Sequence, residues 1–544
     1  MITRQGVGRA THGPVPFGRA LGGLLVALPI SLGLALCGTA QAETTITAVM
    51  NAPLRSLDPV TTTAYILRDY GYMVYDTLLS TDANGDIKPQ MVDNWKVSPD
   101  GKTYTFTLRD GLKWHDGKPV TAADCIASIK RWAAQDKAGQ IMMSLVTSMD
   151  KINDKSFSMT FGVPTDVALR ALGKPGSLVP FMMPERIAET PPTQPITEAI
   201  GSGPFKFVKD QYRPGVQAVF VKNKDYVPRR EPPSDLAGGH VVKVDRVRWV
   251  AMPDAMTAVN AIKSGEIDYI ERTPHDLLPI LEKDDQLRLI ISKKQGGSPV
   301  LRLNHAQPPF NNKLVRQAAM AAIDQNEIMQ AYVGNPKYYQ TCGAVLGCDS
   351  KYGSTEGSKD LIKADPEKSK ALLKEAGYDG APVVLLHPMG FGNIGFTTIP
   401  IVAQELRRGG FKVDIQDMDW QTLLIRRTSK KPVAEGGWSG FTTLLTRSDI
   451  QDPVSNFSIA ANGDKAWFGW PNVPEIETLR RQFASTQDEK ELKSLAVRIQ
   501  KLVMDDGVVL PLGEYAMVVT TRKSLKGVLD APVPVFWNIE KTGS

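Results

Sequence analysis

The sequence predicts a mixed α/β fold with about three core-forming units. Its 544 residues are 42% hydrophobic and 22% charged, which is a globular composition. Segments with strand periodicity alternate with segments of helical periodicity, and no internal repeat or low-complexity tract interrupts them. These observations exclude intrinsic disorder and fibrous repeats.

The first 42 residues are typical of an export signal. Their only charges are three arginines, an uncharged run covers residues 21–36, and Ala40-Gln41-Ala42 has the small-x-small pattern that a signal peptidase cuts. We expect cleavage after Ala42. The mature chain would begin at Glu43.

Cys37 raises the alternative of a lipid anchor. A lipoprotein signal needs a small residue before its cysteine, and here that residue is Leu36. No later segment reaches 18 consecutive apolar residues, so a membrane-spanning helix is not expected.

The net charge argues against a nucleic-acid partner. The chain carries +6, and the three arginines of the export segment leave +3 on residues 43–544. A nucleic-acid-binding surface needs a much larger basic excess.

Turn chemistry defines the first elements. Within residues 95–108, Asp100-Gly101 is a two-residue hairpin signal, and residues 103–108 alternate threonine with large apolar side chains. This pattern predicts a half-buried antiparallel strand.

A capped helix follows. Thr121 and Asp124 form a capping-box pattern, and Cys125 lies beside Ile129 on the apolar face of the helix. We expect Cys125 to be a buried structural thiol.

The second half of the chain has equally clear helix signals. Asp365 is a predicted N-cap, Pro366 occupies the first helical position, and Gly377 ends the helix. Residues 382–419 then show strand, glycine turn, helix and strand.

Two cysteines predict a disulfide. Cys342 and Cys348 flank a short glycine-containing loop, and disulfides persist in exported proteins. Half of a metal site is the alternative, but the five histidines of the mature chain lie far apart in sequence, and we expect no metal site.

One motif allows an enzymatic interpretation. Gly390, Gly392 and Gly395 form a G-x-G-x-x-G pattern after a predicted strand, with acidic residues at 414–419. An exported nucleotide-dependent enzyme is therefore the alternative function. Pro400 in the following helix and the missing second nucleotide-binding half favour an ordinary glycine-rich loop. With no catalytic motif elsewhere, we predict no enzyme, no catalytic residue and no cofactor.

A longer resemblance is more specific. Residues 74–124 resemble the signature region of family 5 solute-binding proteins of ABC importers, the dipeptide-, oligopeptide- and nickel-binding group. The similarity continues in order through residues 201–207, 223–226, 255–270, 303–324, 365–378 and 402–420.

This resemblance implies a fold and its domains. We expect an α/β, two-lobed periplasmic-binding-protein clamshell (type II, large three-domain form) with a discontinuous first lobe. Its parts would be the signal peptide (1–42), the first lobe (43–298) with an extra subdomain at about 82–200, the second lobe (299–505) and a return segment (506–544) completing the first lobe. The chain would cross between lobes near 295–304 and return near 506–522.

The resemblance also implies ligand contacts in the loop after the first strand. This loop begins at Asp58-Pro59, and the contacts carried over to this chain are Thr62, Thr63, Ala64 and Tyr65. The hydroxyl groups of Thr62, Thr63 and Tyr65 could hydrogen-bond a small polar ligand.

A second contact segment, in the second lobe, corresponds to Trp438, Ser439, Gly440 and Phe441. In dipeptide binders the fourth residue of this segment is an Asp that pairs with the ligand's amino terminus, whereas here it is Phe441.

A third contact, an Arg that binds the dipeptide carboxylate, aligns with Met389 or Gly390. Because both charged anchors are absent, we hypothesise that this chain does not read dipeptide termini in the usual way. Peptide binding is still possible in two ways. Arg447, Asp449 or Asp452 could supply the missing charges, or a longer peptide could be held by main-chain hydrogen bonds.

For four other residues the sequence does not decide between a place in the core and a contact with the ligand. They are Trp420, Trp467, Trp470 and, at the lobe crossover, Asn304.

The resulting prediction is a periplasmic binding component of an ABC importer. It would be a monomer that captures a peptide or peptide-like small molecule and delivers it to inner-membrane permease subunits with their ATPase subunits. Oligopeptides, nickel chelates, opine-like conjugates and sugars all remain open as ligands. Retention without a lipid anchor implies a periplasm bounded by an outer membrane.

Overall fold

The structure is a computed structural model and describes residues 43–252, 254–389 and 398–543. The predicted export segment and the glycine turn at 390–395 lie outside the described residues. Within the described ranges, no helix is both long and apolar enough to cross a bilayer.

The strands of the described residues are short except for one. In chain order they are β1 (Thr45–Val49), β2 (Asp76–Thr77), β3 (Leu79–Thr81), β4 (Ile87–Pro89), β5 (Val92–Val97), β6 (Thr103–Leu108), β7 (Val146–Asn153), β8 (Ser156–Phe161), β9 (Phe181–Met182), β10 (Phe205–Phe207), β11 (Gln217–Lys222), β12 (Arg246–Val250), β13 (Tyr269–Ile270), β14 (Leu287–Leu303), β15 (Tyr339–Gln340), β16 (Val383–Met389), β17 (Val413–Asp419), β18 (Gly440–Thr446), β19 (Leu510–Pro511), β20 (Glu514–Arg522), β21 (Leu525–Lys526) and β22 (Glu540–Lys541).

The helices alternate with these strands. In chain order they are α1 (Tyr65–Val74), α2 (Ala122–Gln135), α3 (Lys137–Leu145), α4 (Val167–Leu172), α5 (Glu185–Ala188), α6 (Ala255–Ser264), α7 (Leu278–Leu281), α8 (Lys313–Ala322), α9 (Gln325–Val333), α10 (Lys359–Ile362), α11 (Pro366–Glu375), α12 (Thr398–Arg408), α13 (Trp420–Arg426), α14 (Arg447–Ile450), α15 (Pro474–Ser485) and α16 (Glu489–Asp506). The predicted mixed α/β class is confirmed.

One large sheet organises the described chain. Its order is β10-β11-β12-β1-β13-β20-β14-β18-β16-β17, with β15 beside β20 and β19 beside β14. Strand β1 is parallel to β12 and β13, and β16 is parallel to β17 and β18. We call the strands from β10 to β20 the β1 half and the strands β18, β16 and β17 the β16 half.

Strand β14 joins the two halves. Its residues 287–292 pair antiparallel with β20, and its residues 297–303 pair antiparallel with β18. The pairing with β20 is irregular between Ser292 and Gly297. The chain therefore passes from one half to the other within a single strand.

The predicted local elements are present. Strands β5 and β6 form the antiparallel pair around Gly101, whose φ of +68° suits the turn. Together with β8 and β7 they form a separate four-stranded antiparallel sheet. Helix α2 has the Thr121–Asp124 capping box, and α11 begins after the N-cap Asp365.

The cysteines have two different environments. Cys342 and Cys348 form a disulfide. Cys125 is a free thiol that is completely buried in α2, as predicted, and burial raises the pKa of the thiol.

A buried ion pair anchors the loop between β1 and α1. The Asp58 carboxylate, 0% exposed, accepts hydrogen bonds from Arg131 Nη1 at 3.1 Å and Nη2 at 2.7 Å. It also accepts bonds from the backbone N–H groups of Val60 and Ile196. These contacts fix the segment that leads to the predicted ligand loop.

Replacing Asp58 with Ala should destabilise the fold by about 3–5 kcal/mol, because it leaves the buried Arg131 guanidinium without its carboxylate. Urea unfolding measures the change. The matched control is Asp154→Asn, which removes the surface pair with Lys151; the Asp154 side chain is 79% exposed, so this substitution should leave the unfolding midpoint nearly unchanged. Equal effects of the two substitutions would contradict this role of Asp58.

Candidate functional site

A cavity lies between the β1 half and the β16 half. Its enclosed volume is about 50 Å³, and the surrounding space including open solvent at its mouth is about 560 Å³. The lining combines apolar walls with a few polar groups and consists of Asn51, Ala52, Thr63, Ala64, Tyr65, Ile66, Arg272, Trp420, Arg427, Thr443, Leu444, Leu445, Phe457 and Trp467. This combination is typical of small-ligand sites.

The loop before α1 supplies one wall. Of its four predicted contacts, Thr63, Ala64 and Tyr65 line the cavity, while Thr62 is half-buried beside them and is not part of the lining. Because the buried Asp58 anchors the start of this loop, the cavity-lining residues 63–65 follow a segment that is held in place.

The Tyr65 hydroxyl connects this wall to the opposite one. It donates a hydrogen bond to Asp449 Oδ2 at 2.5 Å and accepts one from the Thr446 backbone N–H at 2.8 Å. Burial and the neighbouring Asp449 carboxylate raise the pKa of Tyr65 well above its usual value, so the hydroxyl stays protonated. The two halves are thus hydrogen-bonded across the cavity.

The acidic and basic residues that follow β18 are engaged with protein groups. Asp449 also accepts the Ser177 backbone N–H at 2.6 Å, and Asp452 caps the backbone N–H of Val454 at 2.7 Å. Arg447 lies 3.6 Å from Glu514. The sequence left Arg447, Asp449 and Asp452 open as charged groups that could bind the ligand. None of the three lines the cavity.

The segment from Trp438 to Phe441 lies behind the cavity wall. Phe441 is 0% exposed, and its ring packs against Trp438 and Trp467 with centroids 5.2 and 5.7 Å apart. Ser439 and Gly440 are buried as well. Strand β18 begins at Gly440 and contributes its later residues, 443–445, to the lining instead.

Hydrogen bonds explain the burial of this segment. The Asn304 side chain donates to the Trp438 carbonyl at 2.9 Å, and its backbone N–H donates to the Ser439 carbonyl at 2.8 Å. Asn304 therefore acts as a structural bridge between β14 and β18. Met389, at the end of β16, is 52% exposed and is not part of the lining.

Two of the three tryptophans whose role the sequence left undecided line the cavity. Trp420 is the first residue of α13, whose N-cap Asp419 accepts hydrogen bonds from the backbone N–H groups of residues 421 and 422. Trp467 also lines the cavity. Trp470 instead packs in the core against Trp438, with centroids 5.9 Å apart.

Two arginines that the sequence did not single out supply the cavity's charge. They are Arg272 and Arg427, and the lining contains no Asp or Glu. Arg427 is 4% exposed and lies against aromatic rings, with its guanidinium carbon 4.5 Å from the Phe468 centroid. Desolvation by burial lowers the pKa of Arg427 to about 9, so it remains charged at neutral pH. No sequence motif marks either residue.

Acidic groups lie behind the lining on the β1 side. Asn51 donates hydrogen bonds to Asp69 at 2.8 Å and to Glu271 at 2.9 Å, and Arg68 Nε lies 3.1 Å from Asp69. Burial raises the pKa of Asp69 to about 7, and Glu271 adds to the shift while Arg68 opposes it. Within the described residues, no cluster of His, Cys, Asp and Glu could hold a metal ion.

Substituting Phe441 with Asp should destabilise the protein by roughly 3–5 kcal/mol or more, because it removes a core aromatic ring and buries an unpaired charge. Thermal or urea unfolding measures the loss. Phe441→Leu, which keeps the position apolar, should cost less than about 1.5 kcal/mol. A stable aspartate variant that gains dipeptide affinity would show that this position faces the ligand.

Comparisons with known proteins identify the family. The model of bacterial extracellular solute-binding proteins, family 5, matches residues 86–456. A probable peptide ABC transporter periplasmic-binding protein, y4tO of Sinorhizobium fredii (strain NBRC 101917 / NGR234), is 41% identical over 90% of this chain and 92% of its own length. Dipeptide-binding protein DppE of Bacillus subtilis (strain 168) is 26% identical over 82% of each chain.

Solved structures confirm the predicted two-lobed clamshell class. The Agrobacterium tumefaciens binding protein AgaA, in complex with agropinic acid, has a TM-score of 0.77 at 22% identity and covers 92% of this chain and 99% of its own. The dipeptide-binding protein of Pseudoalteromonas sp. SM9913, in complex with Met-Leu, has a TM-score of 0.76 at 22% identity, covering 92% of this chain and 100% of its own.

These similarities decide between the two functions considered. Family 5 proteins are periplasmic or extracellular binding proteins that work with permease and ATPase subunits, and they are not enzymes. The nucleotide-dependent enzyme is not supported. The chain belongs to family 5 of the bacterial extracellular solute-binding proteins and is a ligand-binding component of ABC import.

Proposed function

We propose that this protein captures a peptide or peptide-like solute in the cavity between the β1 half and the β16 half. The observation that carries the proposal is the shared cavity, because both halves contribute aromatic, aliphatic and hydroxyl groups to its lining. The 41% identity to a probable peptide-binding relative supports the solute class.

The proposed domain organisation follows the predicted boundaries. A signal peptide occupies 1–42, the first lobe 43–298 with its subdomain at about 82–200, the second lobe 299–505, and the return segment 506–544. The pairing of β20 with both β13 and β14 supports this organisation, since it returns the chain after α16 to strands of the β1 half. Strand β14 and the β19–β20 segment are then the two interlobe connections.

Ligand capture in this proposal is closure around the cavity. A ligand that contacts both halves stabilises the closed state by its differential affinity for that state. The hydrogen bonds of Tyr65 to residues of the β16 half form only when the halves are close together. They contribute to the closed conformation that the permease receives.

The proposed setting is the periplasm. After export the protein acts as a monomer and delivers its ligand to inner-membrane permease subunits coupled to their ATPase subunits. The absence of aspartate at 441 and of arginine at 389 or 390 supports a mode of ligand recognition unlike that of the usual dipeptide binders.

Mass spectrometry of small molecules released by denaturing the periplasmic protein tests the solute class. We expect peptides or amino-acid conjugates, because binding proteins of this kind retain ligand through closure of the cavity. Release of a dinucleotide alone would contradict the proposal. Protein refolded from urea and dialysed is the ligand-free control.

Tyr65→Phe tests closure. Loss of the hydroxyl removes two hydrogen bonds across the cavity, one of them to a carboxylate, and should weaken ligand affinity about 5- to 30-fold, or about 1–2 kcal/mol. Calorimetric titration with the released ligand measures it. Tyr339→Phe, whose hydroxyl bonds Gln330 at the surface, is the matched control and should bind normally. Unchanged affinity in the Tyr65 variant would refute the bridging role.

A further inference from the structure

We propose that Arg427 is the ligand anchor of the cavity and that the solute carries an anionic group, such as a carboxylate, which pairs with it. This inference rests on the proposed function and specifies the chemistry of the solute that the cavity selects. It assigns the charged contact to the residue that directly follows α13, away from both positions at which the resemblance placed charged anchors.

The first argument is that the Arg427 guanidinium has no hydrogen-bonding or ionic partner among the described residues. The side chain is 4% exposed, and Nε is buried without a hydrogen bond. Within residues 43–252, 254–389 and 398–543, no hydrogen bond or ion pair to the guanidinium is found, although it has five N–H donors. A buried cation left in this state is strongly unfavourable unless something pairs with it.

Three other buried guanidinium groups, those of Arg302, Arg131 and Arg480, are paired within the protein. Arg302 is 0% exposed and also has no carboxylate partner, but it donates to the backbone carbonyls of residues 458, 467, 468 and 508. Arg131 pairs with Asp58, and Arg480 pairs with Glu477 at 2.9 Å. Arg427 differs from all three because its donors face a cavity rather than protein acceptors.

The second argument is that the protein supplies no counter-ion at this place. The cavity lining contains no Asp or Glu. The segments outside the described residues, 1–42, 253, 390–397 and 544, contain no Asp or Glu either. No acidic side chain contributes to the pKa shift of Arg427, which comes from burial alone. The counter-charge must therefore come with the ligand.

The third argument concerns position. The guanidinium carbon of Arg427 lies 5.9 Å from the ring centroids of both Trp420 and Trp467, so aromatic faces hold it at the wall. Arg272 adds a second positive charge to the lining, but its Nε lies 3.5 Å from Glu271 and is already partly neutralised. Arg427 is therefore the stronger anchor.

The test compares wild type, Arg427→Gln and the exposed control Arg481→Gln. Each is purified from periplasm, and the molecules released on denaturation are identified and quantified. Wild type and the control should release the same anionic molecules. Affinity for these molecules should fall roughly 30-fold or more in Arg427→Gln. Equal retention and affinity in Arg427→Gln would overturn the inference while leaving the proposed function intact.

A second arm uses known probes. Di-, tri- and pentapeptides of alanine and phenylalanine are titrated as free acids and as C-terminal amides, with tryptophan fluorescence as the readout. Wild type should prefer the acids, and Arg427→Gln should lose the preference. An equal preference in both proteins would overturn the inference.

A third measurement separates binding from a structural role. Ligand-free Arg427→Met should melt at the same temperature as wild type or higher, because it removes an unpaired buried charge while keeping the apolar stem. A melting temperature several degrees lower would show a structural role and overturn the inference.

The remaining outcomes separate the two proposals. If the released molecule is an anion that is not a peptide, the proposed solute class falls and the anchor stands. If nothing is released and no peptide binds, acetate, citrate and inorganic phosphate are tested by thermal shift. Stabilisation of wild type that is lost in Arg427→Met supports the anchor, and no stabilisation of wild type overturns it.

Discussion

The pairing of one long strand with strands of both halves is the constraint on which the rest of the structure depends. Strand β14 is hydrogen-bonded to β20 through its first part and to β18 through its last part. The backbone groups of a buried strand must all be paired, so neither partner can leave without a large loss of hydrogen bonding. The cavity-lining residues 443–445 belong to β18 and are positioned directly by this pairing.

The cavity follows from that arrangement. The loop anchored by Asp58 approaches from the β1 half, while the end of β18 and helix α13 approach from the β16 half. Tyr65 connects the two, since its hydroxyl has both a donor and an acceptor partner in the opposite half. A site assembled in this way exists only while both halves are in contact, and in the proposed function this couples ligand capture to conformation.

The charge distribution around the cavity has a consistent physical form. Acidic groups lie behind the lining and are engaged by Asn51, Arg68 and Arg272, whereas the lining itself carries only positive charge. Asp449, which the sequence left open as a ligand contact, holds the wall together through Tyr65 and Ser177. The buried carboxylates of Asp69, Glu271 and Asp449 are paired with protein groups, whereas the Arg427 guanidinium is the group that we propose pairs with the ligand.

Local chemistry in the sequence determined the elements whose causes are local. Hairpin β5–β6 follows from Asp100-Gly101, and α2 and α11 follow from their capping residues, because a turn or a cap needs only residues a few positions apart. The family and its clamshell fold were likewise predictable from the sequence, since the resemblance runs in order from residue 74 to residue 420. Only the tertiary structure decided which residues face the cavity. Arg427 meets Trp467 and Phe468, and Tyr65 meets Asp449, through strand pairings that join distant segments, and the register of β18 turns residues 443–445 toward the cavity while Phe441 packs in the core.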